Sequence, residues 1–154
     1  MSNDVNVQMT IGGRLPQHLL TTFRGLLDEF REDWDGKRLC YVADLLDLCD
    51  TEGCLTAYRQ GSGSEELEGF CVQYALPFDR RIEAGGGWDA EWRAFRPGVC
   101  DMCLTLDCEG HVVVLADEAL AAARGDEKIR KDFLDRYKNY PPADLPPFEI
   151  VPEQ

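Results

Sequence analysis

The apolar residues of this chain change period as it proceeds, and that change limits the folds open to it. Val5-Asn6-Val7-Gln8-Met9-Thr10-Ile11 alternates strictly. That is the period of a half-buried strand, with Val5, Val7, Met9 and Ile11 inward. After Gly12-Gly13, Leu15, Leu19, Phe23, Leu26, Leu27 and Phe30 recur at helical spacing. A helix is predicted from about Leu15 to Glu32, with Pro16 in its first turn, where the missing N–H leaves no bond unmade.

The switching continues to the C-terminus. Leu39 to Leu48 suits either a strand or the start of a helix; Asp50-Thr51-Glu52-Gly53 is a turn, and Cys54 to Gln60 reads as a strand. Ser62 and Glu65 have capping-box spacing ahead of a helix whose buried stripe is Leu67, Phe70, Cys71 and Tyr74, and which Pro77 ends. Phe78 to Ala84 and Glu91 to Arg96 read as strands around Gly85-Gly86-Gly87. A hairpin follows, with Met102, Leu104 and Leu106 on one arm and His111 to Leu115 on the other. Asp117 to Arg124 is a short helix. Asp126 caps another, with Ile129, Phe133, Leu134 and Tyr137 inward. The last segment, Pro141 to Gln154, holds five prolines, and only Phe148 to Val151 could pair, at an edge. The expected fold is α+β: a mostly antiparallel sheet with three main helices packed on it, ferredoxin-like in part. A single domain over 1–140, with a Pro-rich extension over 141–154, fits 154 residues.

Charge narrows the function classes. The net charge is −13, so direct binding to nucleic acid or to an anionic membrane is not expected. The polar start, Met1-Ser2-Asn3-Asp4, and the lack of a long apolar run predict a chain that stays in the cytoplasm. Seven cysteines, an odd number, fit free thiols in a reducing compartment. Asp28, Glu29, Glu32, Asp33, Asp35, Asp44, Asp47, Asp50 and Glu52 stand against only Arg31, Lys37 and Arg38, so the window 28–52 carries −6. Glu65 and Glu68 extend a solvated acidic face along the second helix. Positions 124–138 carry +2. A continuous carboxylate surface could mimic the phosphate path of DNA and occupy the basic groove of a nucleic-acid-handling protein. The residues expected to contact such a partner are Asp28, Glu29, Glu32, Asp33, Asp35, Asp44 and Asp47.

Other chemistry has less support. Cys100-x2-Cys103-x4-Cys108-x2-His111 offers four ligands of the kind zinc prefers. Against it, Cys103 falls inside a strand pattern and the second pair lies on a hairpin turn. The economical reading is three thiols acting as small apolar side chains, with no cofactor. A structural zinc site is the alternative. His18 and His111 are the two histidines, and no neighbouring motif supports nucleophilic catalysis by either.

Thr10-Ile11-Gly12-Gly13-Arg14-Leu15-Pro16 before an amphipathic helix, Phe70-Cys71 with Leu76-Pro77-Phe78, and Phe95-Arg96-Pro97-Gly98 before a hairpin resemble small proteins of bacterial mobile elements. The resemblance implies an accessory role for a plasmid, phage or integrative element and carries over no catalytic residue. Small acidic inhibitors of host defence nucleases, including anti-CRISPR and anti-restriction proteins, are similar in size and charge. Together these features lead to the expectation of a non-enzymatic acidic protein that engages a basic protein or nucleoprotein partner.

Overall fold

The alternation at the start of the chain becomes the centre of a sheet. A computed structural model describes residues 6–35, 45–60, 63–84 and 89–152. Strand β1 (Asn6–Ile11) lies between β3 (Leu55–Gln60) and β4 (Phe78–Ile82), antiparallel to both. Beyond β4 follow β5 (Ala90–Arg96), β6 (Cys100–Leu106) and the two-residue β7 (Val112–Val113), giving the order β3-β1-β4-β5-β6-β7. Every neighbouring pair in this sheet is antiparallel. The protein is therefore α+β with a mainly antiparallel sheet. β3 and β4 flank β1 and are both antiparallel to it, so they run parallel to each other, joined through the helix Glu65–Gln73. This split β-α-β unit is the arrangement found in ferredoxin-like folds, and the meander β4-β5-β6-β7 extends it. Four helices lie among the described residues: α1 (Leu20–Asp35), α2 (Glu65–Gln73), the short α3 (Ala116–Arg124) and α4 (Glu127–Tyr137).

The buried face changes side across the sheet. Val7, Met9 and Ile11, with their partners Leu55, Ala57 and Phe78, are buried on the face that holds α1 and α2. They join Phe23, Leu27, Phe30, Leu67, Phe70 and Cys71 in one core. On β5 and β6 the opposite face is buried, through Ala90, Ala94, Arg96, Met102, Leu104 and Leu106. The chain after α4 closes over that side: Arg96 Nε donates to Ala143 O (2.7 Å), and Asn139 Nδ2 to Val99 O (3.3 Å). Between β5 and β6, Pro97-Gly98 forms the turn, with Gly98 at φ +72° and Val99 N–H donating to Arg96 O (2.9 Å). Proline followed by a glycine at positive φ is the chemistry of a type II turn.

Several sequence expectations are corrected at their edges. Gly13–Pro16 is not helical. It forms β2, parallel to β8 (Phe148–Val151), and a 3-10 turn at Gln17–Leu19 precedes α1. Leu15 fits the helical spacing, but a distant strand claims it first. Gly12 makes this possible, because a Cβ there would stand 2.1 Å from Pro146 O. The proline-rich segment thereby reaches the interior: Phe148 is buried and stacks on Phe23 at 5.7 Å. The N-cap of α2 is Ser64, without a side-chain cap bond, and Ser62 lies outside the described residues. Tyr74 is exposed, though its ring lies 4.7 Å from that of Phe70. Asp126 does cap α4, accepting from Ile129 N–H (2.9 Å). Ile129 and Leu134, however, are 44% and 58% exposed, and no residue of α4 is buried. The arm His111–Leu115 pairs only through Val112 and Val113. Residues 39–44 and the glycine run 85–87 lie outside the described residues.

Phe148→Ala should lower the unfolding free energy by about 3–5 kcal/mol, the usual range for truncating a buried phenylalanine. Urea unfolding would show this as a lower midpoint at an unchanged slope. A loss below about 1 kcal/mol, typical of surface positions, would mean that β8 is not part of the core.

Candidate functional site

The residues that sequence reasoning singled out fall in three places. Of the acidic set, Asp28 is half-buried, and Glu29 and Asp47 are exposed. Glu32, Asp33 and Asp35 belong to the C-terminal end of α1, and Asp44 lies outside the described residues. The helix is anchored beside this set, where Arg59 Nη1 donates to Glu29 O (3.1 Å). Asp50 is structural. Its Oδ1 accepts from the N–H of Glu52 (2.9 Å) and of Cys54 (3.0 Å), closing the turn in which Gly53 adopts φ +83°.

The four thiol and imidazole residues do not converge. Cys100 and Cys103 are three apart on β6, so the pleat turns them to opposite faces. Cys108 and His111 are exposed in the turn beyond. His111 Nδ1 lies 3.4 Å from Asp107 Oδ2, and Asp107 Oδ1 accepts from the His111 N–H (2.8 Å) and the Glu109 N–H (2.9 Å). These backbone bonds, that of His111 first, hold the Asp107 carboxyl below its ordinary range. Among the described residues no group of three or more His, Cys, Asp or Glu side chains is placed to hold a metal ion. The alternation that places Cys103 in a strand is the signal that separates it from Cys100.

Glu68 overturns the expected solvated face on α2. It is 2% exposed. Its Oε1 accepts from Arg80 Nη1 (3.0 Å) on β4 and Arg93 Nη1 (3.1 Å) on β5, and its Oε2 accepts from Ser64 Oγ (2.6 Å). Arg93 continues the chain with two parallel bonds to Asp101 on β6, at 2.9 and 2.8 Å. Arg80 also pairs with Glu91. Sequence reading missed this cluster because its members are far apart along the chain. The available signal was an arginine at an inward position of each strand: Arg80 faces Arg93 directly across the β4–β5 pair. Two like charges in that position repel unless a carboxylate lies between them. Arg93 in turn holds the Asp101 carboxyl below its ordinary value, mainly through the paired hydrogen bonds. Burial, then the Glu68 charge, pushes the neighbouring Cys71 thiol far above its usual value.

The opposite face carries a second polar group. Arg96, buried, donates through Nη1 to Phe78 O (3.0 Å) and pairs through Nη2 with Asp79 Oδ1 (3.0 Å). Asp79 Oδ1 also accepts from Trp92 Nε1 (3.0 Å). Arg81 lies over the Trp92 ring, 4.3 Å from its centroid. Beside it a groove of about 430 Å3 opens between the ends of β1, β4, β5 and β6. No family model, curated protein or solved structure matches this chain.

Two measurements follow from this geometry. Glu68→Leu leaves two arginines around an apolar side chain and should cost about 3 kcal/mol in a denaturant titration, as for breaking a buried ion pair. Glu65→Leu, at an exposed neighbour, should cost little, and equal losses for the two would contradict the buried cluster. In a thiol-reagent titration of the folded protein, Cys103 and Cys108 should react quickly, while Cys54 and Cys71 wait for unfolding. Prompt reaction of Cys71 would show that α2 does not stay closed on the sheet.

Proposed function

We propose that this chain is a non-enzymatic acidic binding protein that engages a basic protein or nucleoprotein partner in the cytoplasm. Its proposed role is to inhibit a nucleic-acid-handling defence complex by occupying a groove built for phosphates. The observation that carries this reading is where the two signs of charge reside. Arg31 and Arg96 are buried, and the side chains of Arg80 and Arg93 are 13% and 24% exposed. Among the described residues, Glu68 and Asp79 are the carboxylates drawn inward onto them, with side chains 3% and 19% exposed. Among the described residues four arginines against these two carboxylates are thus withdrawn, which shifts their solvent-facing surface further toward the acidic side in a chain of net charge −13.

Exposed carboxylates at Glu29, Asp47, Glu52, Glu65 and Glu66 support the same reading, as does the resemblance to mobile-element proteins. A surface of this kind accelerates encounter with a basic partner and makes the association sensitive to salt. Among the described residues no helix is long and apolar enough to cross a membrane.

The experiment is capture of partners from the native host at low salt, followed by DNA competition with each purified partner. Basic nucleic-acid-binding proteins should be retained and should lose their DNA when the chain is added. The double reversal Glu29→Lys with Asp47→Lys should weaken the complex about tenfold at low salt, with the difference shrinking as salt rises. Binding that ignores both salt and these reversals would remove the acidic surface as the contact.

A further inference from the structure

The far face of the sheet carries one transverse row whose chemistry differs from the rest of the surface. Tyr58 on β3, Gln8 on β1, Arg81 on β4 and Trp92 on β5 stand directly opposite one another in successive strand pairs. Cross-strand partners share a face, so the four side chains form a single line. Trp92 is fixed by its bond to Asp79, and Arg81 is laid over the indole. Among the described residues Arg81 meets the Trp92 ring and no carboxylate. Arg14, Arg80, Arg93, Arg96 and Arg136 each hold a carboxylate. In a chain with 29 acidic residues against 16 basic ones, a guanidinium held in place with no carboxylate on it is a pre-formed anion receptor.

The groove beside Arg81 decides what kind of anion it takes. Its volume of about 430 Å3 lies in the range of small-molecule sites. Buried Ala90 and Leu106 line it and supply apolar surface. Two carboxylates also line it. Glu83 accepts a hydrogen bond from Asn6 Nδ2 (2.9 Å) that leaves its charge in place, and Asp107 lies on the β6 side. A simple anion meets these two negative charges, and a simple cation meets Arg81. A molecule with both charges meets a partner for each.

We propose that this groove binds a small zwitterion of the α-amino-acid class. The carboxylate lies on the Arg81 guanidinium and the Gln8 amide, the ammonium group faces Glu83, and an apolar side chain covers Ala90 and Leu106. The exposed Cys108 thiol at the rim reports occupancy. This site is independent of the acidic contact surface, since no residue proposed for that surface lines it.

The test uses the full chain with L-phenylalanine and L-leucine as probes. Phenethylamine serves as the analogue lacking the carboxylate, and hydrocinnamate as the one lacking the ammonium. Amide NMR should show shifts confined to residues around Gln8, Arg81, Ala90 and Leu106. Alkylation followed by mass spectrometry should show slower modification of Cys108 at an unchanged rate for Cys103. Neither single-charge analogue should match the amino acids. Arg81→Gln and Glu83→Gln should each weaken binding by about tenfold or more, as expected for losing a charge-assisted contact, with unchanged spectra elsewhere. Arg81→Lys should recover only part of the affinity, because lysine loses the planar fork. Absence of shifts with both amino acids overturns the proposal. So does an analogue binding as tightly as the amino acid, or undiminished binding by Arg81→Gln. Salt-sensitive partner binding should persist in Arg81→Gln, so failure here leaves the reading of the acidic surface untouched.

Discussion

Glu68 and the two arginines that hold it fix how the helical layer meets the sheet. Removing a carboxylate from water costs several kcal/mol, and the return is adequate only when charge and hydrogen bonds are both supplied. Here both oxygens are engaged: two guanidinium groups share one, and the Ser64 hydroxyl takes the other. Because the donors come from β4 and β5, the bond geometry sets where α2 lies along those strands. Leu67, Phe70 and Cys71 on the same helix then reach the main core. Arg93 extends the link to Asp101 on β6, so a single ionic chain joins one helix to three strands.

The same arrangement shapes the surface. Arg80, Arg93 and Arg96 are drawn inward onto Glu68 and Asp79, and of the exposed carboxylates Glu91 and Asp101 share them. The acidic exterior and the charged interior are thus two consequences of one distribution. The far face differs because Arg81, adjacent to Arg80 in sequence, points the other way by the alternation of the strand. One member of the Arg80-Arg81 pair completes a buried ion cluster, and the other is left over an indole beside an open groove.

How much could be read beforehand depended on the range of the interaction. The strand at Asn6–Ile11, the helix that follows, the turn at Asp50–Gly53, the Asp126 cap and the late strand at Phe148–Val151 all rest on local period or turn chemistry, and all are present. The helix does not begin at Leu15 as its spacing predicts, because β8, more than 130 residues away, takes Gly13–Pro16 as its partner. Helical spacing places Glu68 toward solvent because it reports a face of the helix and not what lies against it. The cysteine–histidine spacing suggested a ligand set, yet an odd interval on a strand sends Cys100 and Cys103 apart. Neither Arg81 nor Trp92 stood out, because register, not spacing, brings Tyr58, Gln8, Arg81 and Trp92 into line.

The class of fold, the succession of most elements and the sign of the net charge are written in the chain itself, since they follow from periodicity, turn residues and composition. Which carboxylates face water, which arginines neutralise them and which face of each strand is covered come from the packing of the folded chain. The reason is that burial and ion pairing depend on residues distant in the chain, and a strand's pattern is the same whichever of its faces the fold encloses.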